Sequence, residues 1–131
     1  MEMRKVCIDT NIYAAFKKKN TDVVEAFRSF DLIGIDSAVL AELYAGFDMG
    51  RKSKQNREEL TDFLNSQRVI LYSHDIETAE FFSHIFRQLR SKGTPIPTND
   101  IWIAASSMQH GLALYTFDRH FSSIDGILLY E

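Results

Sequence analysis

Three apolar residues, Val6-Cys7-Ile8, stop abruptly at a carboxylate, Asp9, and a helix-like pattern begins at once with Thr10-Asn11. Two of the three are β-branched, so the run reads as a short buried strand. An acid at the carboxyl end of a first strand is a strong constraint. In open parallel α/β sheets that edge is where ligands bind, because loops and helix N-termini meet there around a crevice.

The same alternation of strand and helix continues along the chain. Ile12 to Phe16 reads as a short helix followed by Lys17-Lys18-Lys19, and Asn20-Thr21-Asp22 caps a second helix through Phe30, with Val23, Val24, Phe27 and Phe30 on one face. Ile33-Gly34-Ile35 is a second strand, and Asp36-Ser37 caps a helix from Ala38 to Asp48. A basic connection with Arg51, Lys52, Lys54 and Arg57 leads into a helix that buries Leu60, Phe63 and Leu64. Val69-Ile70-Leu71 is a third strand, and His74-Asp75 opens a long helix to Lys92, with Phe81, Phe82, Ile85, Phe86 and Leu89 assigned to the core. After the stiff loop Gly93-Thr94-Pro95-Ile96-Pro97, Thr98-Asn99-Asp100 starts a helix that stops at Gly111. Leu112 to Thr116 is a fourth strand, and Ile127 to Tyr130 a fifth, at a sheet edge.

At 131 residues, 45% hydrophobic and 25% charged, residues 1–131 suit one globular domain with a sizeable core. A net charge of -3 suggests neither a membrane-surface protein nor a strongly basic nucleic-acid binder, although acids gathered in one site can mask basic patches elsewhere. The single cysteine, Cys7, has no internal disulfide partner, and no apolar run approaches the ~20 residues of a membrane span. A cytoplasmic protein is expected.

Each of four acids has a bland explanation alone. Glu42 lies on a helix, though flanked by the small residues Ala38, Ala45 and Gly46. Asp100 in a first turn suits the helix dipole, and Asp118 could cap the turn Arg119-His120-Phe121. Together they are less easily dismissed. In a right-handed βαβ arrangement strand ends and following helix starts share one edge, so Asp9, Glu42, Asp100 and Asp118 can converge there. Four ionised carboxylates would repel unless a cation lay among them, and Mg²⁺ or Mn²⁺ prefers such oxygen ligands. No Cys/His cluster suggests zinc, and a hydrated hard cation points to hydrolysis at phosphorus. His74 and His84 have no acid or cysteine at ligand spacing and are given no site role.

On Ile8-Asp9-Thr10-Asn11, Ser37-Ala38-Val39-Leu40-Ala41-Glu42-Leu43, Asn99-Asp100-Ile101-Trp102-Ile103-Ala104-Ala105 and Thr116-Phe117-Asp118-Arg119-His120-Phe121, the chain resembles PIN domains of the VapC type, ribonuclease toxins of toxin-antitoxin pairs. The resemblance implies a three-layer α/β/α sandwich on a five-stranded parallel sheet. It also implies that Asp9, Glu42, Asp100 and Asp118 are the metal-binding and catalytic acids, with Asn11 supporting the first and Thr116 the last. Mg²⁺ or Mn²⁺, single-stranded or looped RNA, a homodimer and a cognate antitoxin follow from it too. Arg51, Lys52 and Arg119 are candidates for gripping flanking phosphates. His120 is either a general acid or a plain turn residue, and Tyr44 with Phe47 either a partner-facing patch or core. Two rivals remain: a phosphatase or phosphoacceptor domain using Asp9, which would want a second acid where Asn11 stands, and a non-catalytic RNA- or protein-binding module.

Overall fold

The structure, a computed structural model, describes residues 3–131. In chain order the elements are β1 (Lys5–Ile8), α1 (Thr10–Lys17), α2 (Thr21–Arg28), β2 (Leu32–Asp36), α3 (Ser37–Asp48), α4 (Ser53–Leu64), β3 (Val69–Tyr72), α5 (Ile76–Lys92), α6 (Thr98–Gln109) and β4 (Ala113–Tyr115), followed by a 3-10 turn, Arg119–Ser123. All the strands pair in parallel, in the order β3-β2-β1-β4.

Strand register fixes the layers, because residues paired across neighbouring parallel strands point to the same face. Ile8 is in register with Tyr115, whose ring meets Phe30 and Tyr130 at 5.8 and 4.8 Å. That face carries an aromatic layer in which Phe27 of α2 stacks on Phe16 of α1 at 4.4 Å and Phe63 of α4 packs edge-on to Tyr13 at 5.2 Å. Cys7 is in register with Gly34 and Leu114, and it faces Ser107 of α6 on the opposite side, where α5 packs along α6. Gly34 is needed there: an added Cβ would lie 2.9 Å from both Leu112 Cδ1 and Tyr72 Cε2. The result is the expected α/β/α arrangement.

Caps set where the helices start. Asn20 accepts from Val23 N–H at 3.1 Å, Asp36 from Ala38 N–H at 2.8 Å, and Asp75 and Thr78 form a reciprocal capping box. Gly93, at φ 70°, ends α5 in the left-handed conformation that a side chain would resist.

Three expectations need correction. The fifth strand shrinks to one parallel bridge, Leu114 to Leu129, flanked by Leu114 N–H to Leu128 O at 2.8 Å and Tyr130 N–H to Leu114 O at 2.9 Å. Its partner β4 is only three residues long, so there is little ladder to extend. Phe86, expected in the core, is 44% exposed, because α5 buries Ile85 and Leu89 and turns Phe86 outward. Phe30 lies past the end of α2 yet remains buried, so the apolar face predicted for that helix includes one residue of the following loop.

Candidate active site

The strand ends and helix starts do meet at one edge. Asp9 keeps the extended backbone of β1 (φ -82°, ψ 165°) and caps α1, with Oδ1 accepting from Thr10 N–H at 2.7 Å. Its Oδ2 accepts from the Thr116 hydroxyl at 2.8 Å, and that hydroxyl in turn accepts from Asp118 N–H at 3.0 Å. One threonine therefore ties the loop after β4 to the acid after β1. Asp100 sits in the first turn of α6, and Glu42, midway along α3, accepts from Asn99 Nδ2 at 2.9 Å.

Asp9 and Asp100 are 4% and 7% exposed, unusual for unneutralised carboxylates. Burial pushes the Asp9 carboxyl above its ordinary value. Hydrogen bonds from Thr116 and Thr10 oppose that shift, and the negative charges of Asp118 and Glu42 add to it. Asp100 is likewise pushed up, first by burial, then by the charge of Asp9, with Glu42 adding and His120 opposing. Four acids distant in sequence thus act on one another electrostatically. The basic group set against them is His120, whose Nε2 lies 2.8 Å from Asp100 Oδ2. That nitrogen is buried, and its approach to Asp100 lacks the alignment of a directed hydrogen bond.

Among the described residues, no three acid, imidazole or thiol side chains close on a common point at ligand distance. Asp100 is turned toward His120, and Glu42 toward Asn99. The donor set still fits a hard divalent cation, which keeps several waters and is commonly held through only one or two carboxylates. Every candidate donor is an oxygen, and Thr10 Oγ1 is buried beside Asp9 with no partner among the described residues. Cys7 is no alternative ligand or nucleophile: burial pushes its thiol up to about 12, leaving negligible thiolate at neutral pH.

The structure treats the remaining sequence candidates unevenly. Thr116 touches Asp9 as well as the Asp118 backbone. Asn11, expected to support Asp9, is exposed, and the hydrogen bonds Asp9 receives among the described residues come from Thr10 and Thr116. Arg51, Lys52 and Arg119 are exposed. Arg57 is engaged otherwise, with Nη2 2.8 Å from Asp48 Oδ2 and its guanidinium 4.0 Å over the Tyr44 ring, and Tyr44 and Phe47 pack partly buried against the core. Sequence reasoning missed Asn99, although its place beside Asp100 at the start of α6 was a signal. It also missed His74, which contacts the buried Asp36 at 2.8 Å.

A parallel α/β/α sandwich with buried acids at the carboxyl edge of its central strands defines a class of carboxylate-centred domain suited to divalent cations and phosphate esters. Comparison with known proteins narrows this. The PIN domain profile matches residues 6–127. The chain is 30% identical over 114 residues to "Ribonuclease VapC2" of Haemophilus influenzae, covering 86% of this chain and 85% of that protein. It is 29% identical over 127 residues to "Ribonuclease VapC2" of Rickettsia felis, covering 93% of each. Its fold superposes on the structure of VapBC2 from Rickettsia felis bound to a promoter DNA fragment with a TM-score of 0.86 and 26% identity, over 95% of this chain and 96% of that one. The chain belongs to the PIN domain family and, within it, groups with the VapC ribonucleases. Among the described residues no helix is long and apolar enough to cross a membrane.

Proposed function

We propose that this chain, as one PIN domain over residues 1–131, is a divalent-metal-dependent endoribonuclease that hydrolyses phosphodiester bonds in single-stranded or looped RNA. It is the toxin of a toxin-antitoxin pair, works as a homodimer in the cytoplasm, and is neutralised by a cognate antitoxin. The observation that carries the chemistry is the pair Asp9 and Asp100, both buried and both raised by burial and by neighbouring negative charge. The names of its VapC relatives support the choice of RNA.

Asp9, Asp100 and Asp118, with Glu42 sharing the ligation, would hold Mg²⁺ or Mn²⁺. Such an ion supplies a nucleophilic water at neutral pH and neutralises charge developing on the scissile phosphate. Thr116 keeps one oxygen of Asp9 directed away from the helix cap, and Asn99 holds Glu42 Oε1, leaving Oε2 to share the ligation or to orient the attacking water, whose proton passes to solvent. As the water oxygen bonds to phosphorus, the bond from phosphorus to the ribose oxygen breaks in line, and that oxygen takes a proton from solvent. Arg51, Lys52 and Arg119, exposed at the surface, would grip flanking phosphates without reading bases.

The test is cleavage of a structured RNA in Mg²⁺ or Mn²⁺ against EDTA, with Asp9→Asn and Asp100→Asn alongside. Metal-dependent cleavage lost in both folded variants is the expected outcome. Undiminished cleavage by either variant, or cleavage indifferent to EDTA, would falsify the assignment.

A further inference from the structure

Asp36 is a third buried carboxylate, beside Asp9 and Asp100, and nothing in the chemistry above uses it. It ends β2, two residues after Gly34, so strand alternation directs it to the α6 side of the sheet. It is fully buried. Its Oδ2 accepts from Ala38 N–H at 2.8 Å, its Oδ1 accepts from the Ser106 hydroxyl, and His74 Nε2 stands 2.8 and 2.9 Å from the two oxygens. The His74 ring is itself stacked on Trp102 at 4.3 Å and 11°.

Capping α3 does not require this charge. Serine, threonine or asparagine caps a helix as a neutral group, whereas taking a carboxylate out of water is strongly unfavourable unless several donors compensate. The donors that compensate come from three separate parts of the fold. Ala38 opens α3 one turn before Glu42, Ser106 lies on α6 six residues after Asp100, and His74 belongs to the β3–α5 connection while its ring rests on Trp102 of α6. At ~1.5 Å per helical residue, Asp36 fixes α3 about 6 Å from Glu42 and α6 about 9 Å from Asp100.

We propose that Asp36, clamped by His74 and Ser106, is a positioning residue that sets the spacing of Glu42 and Asp100 and through it the affinity for the divalent ion. The proposal rests on the metal-dependent reading above, and it assigns the two side chains of the clamp a role that a simple helix cap would not have.

The experiment compares the full-length wild type with Ser106→Ala, His74→Ala and His74→Gln. Mn²⁺ binding is measured by calorimetry without RNA, alongside melting temperature and cleavage kinetics. Ser106→Ala and His74→Ala are expected to weaken Mn²⁺ binding about tenfold, as loss of an outer-shell support typically does, and to lower kcat with KM for RNA unchanged. His74→Gln, whose Nε2 can reach the same carboxylate, stays within about twofold of wild type. Unchanged Mn²⁺ affinity in folded Ser106→Ala and His74→Ala, whatever their melting temperatures, overturns the proposal, as does a His74→Gln variant as impaired as the alanine. A wild type that binds Mn²⁺ but cuts no RNA removes the ribonuclease reading while the binding comparison still decides on Asp36. A wild type that binds no Mn²⁺ overturns both.

Discussion

Replacing Asp9 by asparagine is expected to stabilise the protein in EDTA while abolishing its response to metal. Burial first, and then the charges of Asp118 and Glu42, raise the Asp9 carboxyl, and burial followed by the charge of Asp9 raises that of Asp100. Two unit charges within ~8 Å repel by about 2 kcal/mol at an effective dielectric near 20. The more exposed neighbours, Glu42 and Asp118, are screened and contribute less, so relief of the whole set is put at about 2 kcal/mol. Against this, the charge-assisted bond from Thr116 becomes an ordinary one, a loss of about 1 kcal/mol, while the cap on Thr10 N–H survives because asparagine caps as well as aspartate. The net gain of about 1 kcal/mol corresponds to a rise of roughly 3–5 °C in melting temperature for a domain of this size. The sign with pH is fixed by linkage. Folded Asp9 and Asp100 hold their protons more tightly than the unfolded chain does, so this stability is fully present below the ordinary carboxylate value and is lost as pH rises through the raised folded values. The advantage of the asparagine variant is therefore largest where the folded carboxyls are ionised and narrows as pH falls toward the ordinary carboxylate value. Saturating Mn²⁺ reverses the order, since 100-fold excess over Kd adds about 2.7 kcal/mol to the wild type alone. Thermal melts in EDTA and Mn²⁺ from neutral pH down to about pH 4, the ordinary carboxylate range, decide the matter. An Asp9→Asn protein that is no more stable than wild type at pH 7, or whose difference does not change with pH, would refute the crowding of charge on which the site rests.

Three further perturbations probe separate parts of the fold and site. Gly34→Ala forces a Cβ to 2.9 Å from Leu112 and Tyr72 side-chain carbons and is expected to cost about 1–3 kcal/mol, read as a lower urea midpoint with unchanged slope. Thr116→Val removes the hydroxyl shared by Asp9 and Asp118 N–H, so Mn²⁺ affinity measured by calorimetry should fall about 10- to 100-fold; an unchanged affinity would mean that Thr116 supports nothing. Arg119→Ala should raise KM for RNA, leave kcat in place and reduce the salt dependence of RNA binding by about one phosphate contact; equal salt slopes would remove Arg119 from the interface.

The parts of the fold legible in the sequence are those governed by local rules. Val6 to Ile8 and Ile33 to Ile35 are short β-branched runs that stop at caps, and the starts of α2, α3 and α5 carry Asn20, Asp36 and Asp75. That Asp9 feels the charges of Glu42 and Asp118, and Asp100 those of Asp9 and Glu42, could be anticipated because parallel topology sends strand ends and helix starts to one edge. What stayed hidden depends on pairing across the chain. Asp36 meets His74 at a separation of 38 residues and Ser106 at 70, and no periodicity announces either. Asn11 is exposed, and Asp9 accepts instead from the adjacent Thr10 backbone N–H and from the Thr116 hydroxyl, 107 residues away. The fifth strand failed because its apolar run met a β4 too short to pair with it.

The closeness of Asp9 and Asp100 is itself a packing result. Asp9 leaves the sheet on the same side as Cys7, two residues earlier, and α6 covers that side. The buried stretch of α6 there is Ala104, Ala105, Ser106 and Ser107, all fully inaccessible to solvent. Small side chains let a helix backbone ride close to a sheet, and the close-packed interior leaves little slack for anything larger. A leucine in that stretch would push α6 outward and carry Asp100 away from Asp9, relieving the repulsion and dispersing the charge that a divalent ion needs. The apparently featureless small residues of α6 thus control the electrostatics at its first turn. The two serines among them make further contacts: Ser106 reaches Asp36, and Ser107 bonds its own helix at Ile103 O and meets Cys7.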